Sequence, residues 1–357
     1  MSRLTAGAAP SVQVERLPEH GPHRRAWDHY VRRHPRASHW HLSGWGGVFT
    51  RVYGHRPHYL VAREGDGSVS GVLPLVHVES RLFGSSLVSL PFLDGGGICA
   101  GRPEVAARLV DEAQRLARRL DVDVLELRHR EPSGLGLPRV GTKVTCVLPL
   151  AASADDTWRR LDGKVRNQVR KAASSGLTAV WGGLESLDEF YRVFAVNMRD
   201  LGSPVHSKRL FAAVLEEFTE SARLVLVRHA GRTVAGGVCL TFRDTLLVPW
   251  ASALWETRSL CPNNLLYWEV IRWGSEKGFR SLDFGRSSPG SGTHRFKRQW
   301  GAPDEPLAWE RVQLRGTGGG AVDPKDGAYG WAERIWRRLP VRVATEIGPW
   351  LRGQLVN

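Results

Sequence analysis

Residues 263–287 read NNLLYWEVIRWGSEKGFRSLDFGRS, and this stretch predicts a long helix followed closely by a strand. Apolar residues recur at helical spacing over 264–277, and Gly278 is typical of a residue that ends a helix in the left-handed conformation. Residues 281–284 then predict a strand, which a Gly-rich loop follows. We therefore predict an α/β (α+β) fold in this part of the chain.

The same order of elements is predicted earlier in the chain. Residues 103–120 have helical spacing and run into an alternating strand at 122–127, after several strands joined by turns. No sequence identity relates the two halves, so the repeat is one of architecture. We predict domains at residues 1–145 and 146–315 with mixed, largely antiparallel sheets, the second closed by a strand at 307–314. Residues 316–357 are predicted to form a linker, which includes GTGGG at 316–320, and a basic helical tail.

Composition agrees with a folded chain of two domains. The sequence has 357 residues, of which 42% are apolar and 24% are charged, and this balance excludes wholesale disorder. Fourteen tryptophans predict a large aromatic contribution to the core or to a ligand cleft. Lys and Arg outnumber Asp and Glu by 50 to 36, and the resulting charge of +14 favours anionic partners.

The cysteines and the N-terminus bear on the compartment. Cys99, Cys146, Cys239 and Cys261 are dispersed without a CxxC pair, which favours reduced thiols and predicts no metal site. Residues 1–10 lack the apolar stretch of a signal peptide, and no run reaches the roughly 18–20 apolar residues that cross a bilayer. We predict a cytoplasmic protein.

Two segments carry candidate chemistry, and the first is the basic helix WRRLDGKVRNQVRKAASS at residues 158–175. Arg166 and Arg170 lie four residues apart and so share one face, which Lys164 and Lys171 flank. Arginine can bind phosphate oxygens through two parallel hydrogen bonds, so this face is a candidate phosphate site. The alternative is an ordinary solvated helix face.

The second segment is residues 261–301. Asn263 or Asn264 can cap the following helix, whose free N–H groups can also bind an anion. Asp283 ends the next strand beside a predicted loop, although it can equally be a turn carboxylate. Lys297, between Phe296 and Trp300, is predicted to be a cation held among aromatic rings, with a surface lysine as the alternative.

Several common catalytic motifs are absent from the sequence. It contains no GxxxxGK[ST] phosphate loop, and this absence argues against a P-loop nucleotide hydrolase. A GxSxG nucleophile elbow, an HExxH metal motif and a GxGxxG loop after a strand are also missing. These absences leave the two segments above as the main candidates.

Four stretches together resemble the FemAB-like proteins, in particular the branch associated with PEP-CTERM/exosortase systems. They are KVRNQVRKAASSG (164–176), MRDLGSPVHSKRLF (198–211), the opening stretch at 263–287 and FKRQWG (296–301). The resemblance covers most of the chain and is strongest over 158–301. It implies two tandem GNAT-like folds that face each other across a cleft, in an enzyme that transfers an acyl or aminoacyl group to an amine.

The resemblance also implies roles for individual residues. Lys297 matches the family's lysine and is predicted to stabilise the carbonyl oxyanion. Asp283 is the predicted second catalytic residue, and Asp200 is the other carboxylate within a recognisable motif; substrate-assisted proton transfer is the alternative to both. The predicted substrate-binding residues are Lys164, Arg166, Asn167, Arg170, Lys171, Asn263, Asn264, Trp268, Arg286 and Trp300.

The identity of the two substrates stays open at this point. No resident cofactor is predicted, and the co-substrate is aminoacyl-tRNA or acyl-CoA. Residues 258–263 read RSLCPN, without the glycines of the loop that binds the CoA pyrophosphate in related acetyltransferases, and the nearest cation after Trp45 is Arg51 rather than a lysine. The predicted acceptor is an anionic small molecule or a saccharide in envelope or exopolysaccharide biogenesis.

Two alternatives to this function remain: an acyl-CoA-dependent N-acetyltransferase and a non-catalytic adaptor that binds tRNA or another anion. The tail adds a further partner, because Trp331, Trp336 and Trp350 alternate with arginines as they do in helices at membrane interfaces. A peripheral contact with the inner membrane is one prediction for this segment, and a helix packed on the catalytic body is the other.

Overall fold

The structure, a computed structural model, describes residues 12–18, 21, 23–316 and 327–356. The first ten residues, used above to predict the absence of a signal peptide, lie outside these ranges, as do residues 317–320 of the predicted linker. Within these ranges, no helix is long and apolar enough to cross a membrane.

The first half alternates short strands with helices. Its strands are β1 (Gln13–Arg16), β2 (Arg56–Pro57), β3 (Leu60–Arg63), β4 (Val69–Leu73), β5 (Val76–Ser80), β6 (Gly84–Val88), β7 (Cys99–Ala100) and β8 (Val124–His129). Its helices are α1 (His23–Arg33), α2 (Gly44–Tyr53) and α3 (Pro103–Arg119). Strands β1, β3, β4 and β7 form one sheet in that order, and β8, β6, β5 and β2 are consecutive in another.

The second half is built on one larger sheet. Its strands are β9 (Val144–Pro149), β10 (Leu177–Gly182), β11 (Ala222–His229), β12 (Arg232–Phe242), β13 (Thr245–Ala253), β14 (Ser281–Ser287), β15 (Asp304–Pro306) and β16 (Ala308–Gln313). Its helices are α4 (Ala154–Arg160), α5 (Gly163–Ser174), α6 (Leu187–Asp200), α7 (Lys208–Glu217), α8 (Pro262–Glu276) and α9 (Gly292–Arg298). The sheet order is β10-β11-β12-β13-β14-β9-β15.

Each half contains one parallel strand pair joined through a long helix. In the first half β6 pairs with β8, with α3 between them in sequence, and in the second half β13 pairs with β14 across α8. Most of the other pairings are antiparallel, so the predicted mixed, largely antiparallel sheets are confirmed. Gly278 follows α8 at φ 80°, as its position in the sequence predicts.

Two predicted elements are wrong. The helix predicted over 155–175 is divided into α4 and α5, because the Asp162 carboxylate accepts the Lys164 backbone N–H (2.7 Å) and caps α5. The strand predicted to close the second half, now β16, pairs antiparallel with β8 and joins the sheet of the first half. There Arg311 reaches the buried Glu126 (2.5 Å), a partner that lies far away in sequence. The domain boundaries at 145/146 and 315/316 stay predictions.

Pro340 and Pro349 are expected to break the C-terminal tail into short helices. The tail forms α10 (Gly327–Trp336) and α11 (Val341–Gly353), with Pro340 between them, but Pro349 lies inside α11 and does not end it. Gly348 allows α11 to approach Val205, where an added Cβ would lie 2.9 Å from a side-chain carbon. The inner face of α11 therefore packs on the body of the protein.

Aromatic side chains fill much of the core, as the tryptophan content predicts. Buried tryptophans include Trp27, Trp45 and Trp300, and a hydrophobic cluster crosses between the halves, where Trp45 and Phe218 lie 5.0 Å apart. All four cysteines are free thiols, three of them buried. Side chains of both halves thus contribute to a common interior.

Candidate active site

The parallel strands β13 and β14 separate after only three residue pairs. Residues Thr245–Leu247 of β13 pair with residues Ser281–Asp283 of β14, and the two strands do not pair with each other beyond this point. Pro249 has no N–H to donate to a neighbouring strand, and Gly285 has φ 75°, a backbone conformation that favours glycine. The sheet therefore opens between Pro249 and Phe284.

A cavity of about 230 Å3 lies at this opening, and both halves contribute to it. Five of its fifteen lining residues are tryptophan or phenylalanine, its charged groups cluster where the strands separate, and one residue comes from the tail. The lining residues are Trp40, Phe92, Leu93, Asp94, Phe194, Met198, His206, Pro249, Trp250, Ala251, Phe284, Gly285, Arg286, Lys297 and Arg352. The sequence-predicted residues Lys297 and Arg286 are thus brought together in one cavity.

Lys297 is 8% exposed and is held at the point where the strands part. Its Nζ donates to the carbonyl oxygens of Gly285 (2.7 Å) and Arg286 (2.9 Å). Burial lowers the pKa of the ammonium, and the carboxylates of Asp94 and Asp283 partly offset this effect. An ammonium has three N–H bonds, so one remains beyond these two carbonyls for a ligand in the cavity.

The aromatic neighbours of Lys297 do not form the predicted cage. Phe296 and Trp300 pack with Tyr267 at ring-centroid distances of 5.4 and 6.3 Å. Trp300 is buried in the core of the second half and does not line the cavity, although it was predicted to bind substrate. Backbone carbonyls, rather than aromatic rings, position the Lys297 ammonium, because helix α9 carries its side chain across the end of β14.

The stretch DGGG at residues 94–97 predicts a turn, with a pocket wall as the alternative, and Asp94 does line the cavity. It lies in a loop of the first half, and its carboxylate accepts the Arg286 backbone N–H (2.9 Å) and faces the Arg286 Nε (3.3 Å). It also favours the charged form of Lys297. Asp94 therefore connects the first half to the charged end of the cavity in the second half.

Asp283, the second predicted catalytic residue, lies behind the cavity. Its Oδ1 accepts the Thr145 hydroxyl (2.5 Å) and the Gly285 N–H (2.8 Å), and its Oδ2 lies 3.0 Å from an Arg130 nitrogen. These donors engage both oxygens of the buried carboxylate, which does not line the cavity. Asp283 thus fixes the turn whose carbonyls hold Lys297. Asp200, by contrast, pairs with Arg199 (2.7 Å) and does not line the cavity.

Two further cavity residues, His206 from the stretch at 198–211 and Arg352 from the basic tail, come from segments that were singled out without a role for either residue. Arg352 of the tail donates through Nε to His206 Nε2 (3.2 Å), and His206 Nδ1 lies 2.7 Å from the Tyr53 hydroxyl. Burial and the nearby Arg352 hold the pKa of His206 well below its usual value, so its ring is neutral. The tail thereby forms part of the active-site wall.

The basic helix face forms a separate surface. Lys164, Arg170 and Lys171 are exposed, and Arg166 is half-buried. None of these four residues lines the cavity of Lys297. The Arg170 guanidinium lies over the Trp158 ring, 5.4 Å from its centroid. The predicted phosphate anchor thus remains available to a large ligand at the surface.

The remaining predicted residues lie along this surface or between α5 and α8. Asn264 is buried and donates to Gln168 (3.0 Å), Trp268 packs on Trp158 at 4.5 Å, and Asn167 accepts from Arg170 (3.1 Å). Neither Asn263 nor Asn264 caps α8, because Cys261 is the cap residue, at φ 58°, and no side chain accepts there. Backbone N–H groups at the start of α8 are therefore left without a side-chain cap.

A larger cavity of about 860 Å3 also lies between the halves. Its lining includes four carboxylates and six arginines, which are Arg36, Arg102, Arg128, Arg130, Arg139 and Arg243. Arg130 connects the two cavities, because its guanidinium pairs with Asp283 behind Lys297. The larger cavity can therefore hold an anionic molecule close to the charged end of the smaller one.

Cys146, His294 and Asp304 form a cluster of metal-ligand type, with donor atoms within 4.8 Å of one another. His294 Nδ1 accepts the Gly290 N–H (3.0 Å), so Nε2 carries the proton that bonds Asp304 (2.9 Å). Neither ring nitrogen then offers a free lone pair to a metal. Burial raises the pKa of the Cys146 thiol to about 11. The hydrogen bonds of this cluster instead tie α9 to β15.

Comparisons with protein families and with solved structures show what this chain is similar to. Residues 159–298 match the family model described as an acetyltransferase (GNAT) domain. A search of curated protein sequences found no match. Among solved structures, the chain is similar to the crystal structure of FemX at 15% identity and a TM-score of 0.68, with 85% of this chain and 97% of that chain covered.

Two further structures show the same likeness. One is a tandem GNAT protein from the clavulanic acid biosynthesis pathway, at 14% identity and a TM-score of 0.53, covering 86% of this chain and all 100% of that one. The other is the C-terminal domain of a putative lysylphosphatidylglycerol synthetase from Agrobacterium fabrum, at 12% identity and a TM-score of 0.55, with 82% and 92% covered. These identities show a shared fold. Together with the GNAT domain, they confirm the predicted fold class and the prediction of an acyl- or aminoacyl-transferring enzyme.

Proposed function

We propose that this protein transfers an aminoacyl or acyl group to an amine of a cell-envelope or exopolysaccharide precursor, in the setting of PEP-CTERM/exosortase systems. One observation carries the proposal: the Lys297 ammonium is fixed by two backbone carbonyls at the opening of the second-half sheet, in a cavity that both halves line. A preorganised donor in a site largely closed to water stabilises developing negative charge far better than one in solution.

The reaction follows from this geometry. The neutral nitrogen of the acceptor attacks the carbonyl carbon of the donor ester or thioester, and a C–N bond forms while the carbonyl electrons move onto oxygen. The remaining N–H of Lys297 donates to this oxyanion. Collapse of the intermediate breaks the C–O or C–S bond, and the departing group takes up the proton that the nitrogen releases. Asp283 acts as a positioning residue, since it holds the turn that supplies the two carbonyls.

The donor is proposed to bind across α5 and the start of α8. Lys164, Arg166, Arg170 and Lys171 supply the positive charge of this surface, and their side chains favour phosphate oxygens. Aminoacyl-tRNA fits this extended basic face, and its many phosphates would make binding dependent on salt. The acceptor is proposed to be anionic, because six arginines against four carboxylates line the larger cavity behind Asp283.

An acyl-CoA-dependent N-acetyltransferase is the second candidate. The match of residues 159–298 to an acetyltransferase domain favours it. The glycine-free sequence RSLCPN before α8 favours the aminoacyl donor instead.

Transfer assays with radiolabelled donors distinguish these functions. Charged tRNA and acetyl-CoA are each incubated with the protein and a panel of amino sugars and their lipid-linked forms. Thermal unfolding measured with each donor alone reports binding, because a ligand of the folded state raises the melting temperature. We expect amide formation from charged tRNA. Product from acetyl-CoA alone would favour the second candidate, and salt-sensitive RNA binding without any product would contradict both in favour of an adaptor.

A further inference from the structure

The outer face of the C-terminal tail exposes large apolar side chains. Trp331 and Ile335 lie four residues apart on α10, and Val343, Ile347 and Trp350 follow helical spacing on α11. These five side chains are between 38% and 62% exposed. The opposite face of α11 is occupied by contacts with the body, through Ala344, Gly348 and Gly353. The outward stripe is therefore an apolar surface that the fold itself does not use.

Basic side chains flank this stripe. Arg334, Arg338 and Arg342 are exposed, and in the part of the chain that the structure describes none of them forms an ion pair with a carboxylate within 4.0 Å. Glu346 is an acidic exception on α11. Exposed tryptophans beside arginines are the combination that places rings at the headgroup level of a bilayer and cations against lipid phosphates.

A basic cavity opens at the end of the stripe. This cavity, of about 420 Å3, is lined by Trp350 from the tail, by Arg56 near the end of α2 and by Arg209 in the first turn of α7. Both arginines are exposed, and neither has an ion pair among the described residues. Glu79 is the one carboxylate among the lining residues. Arg209 in the first turn of α7 and Arg56 in β2 thus present two guanidinium groups to one cavity, and such groups favour a phosphate.

We propose that α10, α11 and this cavity dock the protein on an anionic membrane surface, with a lipid phosphate bound between Arg56 and Arg209. The apolar stripe supplies burial and the arginines supply charge complementarity, and neither alone gives stable attachment. Arg352 lies on the inner side of α11 and lines the cavity of Lys297. If the proposed function holds, docking therefore brings the acyl-transfer cavity close to a lipid-linked acceptor.

Vesicle co-sedimentation of the full chain tests this proposal without any substrate. Vesicles of phosphatidylcholine with phosphatidylglycerol are compared with vesicles of phosphatidylcholine alone. Two double variants are used, Trp331→Ala with Trp350→Ala and Arg56→Ser with Arg209→Ser, and thermal unfolding checks that both are folded. The matched control is Trp255→Ala, because Trp255 is 69% exposed on the second half and also has an arginine, Arg258, over its ring.

We expect binding that requires the anionic lipid. The double arginine variant should lose roughly 25-fold in vesicle affinity, since each cation near the surface contributes about fivefold. The double tryptophan variant should lose about fivefold or more, because two rings no longer bury apolar area in the bilayer. The Trp255→Ala protein should bind as the parent does. Equal binding to both kinds of vesicle, or an equal loss in Trp255→Ala, would overturn the proposal. Two other results would also overturn it: a dimer that disappears in the tryptophan variant, or binding of inorganic phosphate without binding to vesicles. None of these outcomes depends on acyl transfer.

Discussion

The two halves contain the same parallel strand pair, but they use the space beyond it differently. In the second half, β13 and β14 part around an open cavity that contains the Lys297 ammonium. In the first half, β6 and β8 pair at residues 86–88 and 124–126, and the space beyond them contains the buried Arg128. A strand pair of one topology thus supports chemistry in one half and packing in the other.

Arg128 shows how the first opening is filled. Its guanidinium donates to the carbonyls of Leu90 (3.2 Å), Leu93 (2.8 Å) and Val356 (2.7 Å), and pairs with the buried Glu126 (2.8 Å). The C-terminal end of the chain therefore closes this space. Leu90 and Phe92 both have positive φ in the loop above it, and Phe92 extends into the wall of the active cavity. The first half thus supplies a wall to the site of the second.

The largest effect that separates the halves is expected from Arg128→Leu. The leucine leaves Glu126 with Arg311 alone and deprives three buried carbonyl oxygens of their donor, so the free energy of unfolding should fall by about 3–5 kcal/mol. Urea unfolding measures this loss. Arg119→Leu is the control, because Arg119 pairs with Glu112 on the exposed face of α3 and should change stability by at most about 1 kcal/mol. A stable Arg128→Leu protein would contradict the structural role of the first opening.

Asp94→Asn tests whether the first half acts on the chemistry of the second. Asparagine keeps a hydrogen-bond acceptor for the Arg286 N–H but removes the negative charge that favours the Lys297 ammonium. The pH at which the transfer rate declines on the alkaline side should be lower by about one unit in the variant. At pH values above this decline, the variant should therefore be roughly tenfold slower than the parent protein. A pH–rate profile of both proteins measures this shift. An unchanged limb would show that Asp94 does not act on Lys297.

The pH dependence of the parent protein follows from the lowered pKa of Lys297. A lysine that must be charged to stabilise an oxyanion fails as pH rises through its pKa, so the rate should decline at a pH below the 10.5 usual for lysine. Lys297→Arg should shift this decline to higher pH, because arginine stays protonated. The same acceptor amine is used throughout, so that its own titration cancels in the comparison. A decline at the same pH in both proteins would assign it to another group.

The smallest effect is expected at the basic face of α5. Arg166→Ala with Arg170→Ala should raise the KM for a phosphate-bearing donor by roughly tenfold with little change in kcat, because these groups bind ground state and transition state alike. The salt dependence of KM should also weaken. Arg115→Ala with Arg119→Ala, on the exposed face of α3, is the matched control. An equal rise of the KM in both double variants would show that only the overall charge of the protein matters, and not the basic face of α5.

Local patterns predicted the elements of the second half well. The α8 helix and the β14 strand both depend on residues within a few positions of one another, where periodicity carries information. The pairing of β16 with β8, in a sheet of the first half, was not predictable, because the two strands lie about 180 residues apart in sequence. The burial of Trp300 was not predictable for the same reason. Its aromatic motif is visible in the sequence, but its burial depends on contacts with α8 and β14.

Three cavity residues that the predicted site did not include have the same physical explanation. Asp94, His206 and Arg352 reach the cavity of Lys297 from three separate segments, one of them in the tail. Each has an ordinary alternative in the sequence, as a turn carboxylate, a loop histidine or a surface arginine. Only the packing of the two halves and the tail brings them together, and no local pattern records that packing.

The central claim is that Lys297 supplies a fixed positive charge to the acyl-transfer site, and replacing it with methionine tests this most directly. Transfer of the donor's acyl group is measured as kcat/KM for Lys297→Met and for Lys277→Met, an exposed lysine after α8. Loss of one oxyanion donor costs about 10²–10³ in rate, so we expect a loss of that size for Lys297→Met, with a folded protein by thermal unfolding. Lys277→Met should match the parent. Full activity in a folded Lys297→Met protein would contradict the account.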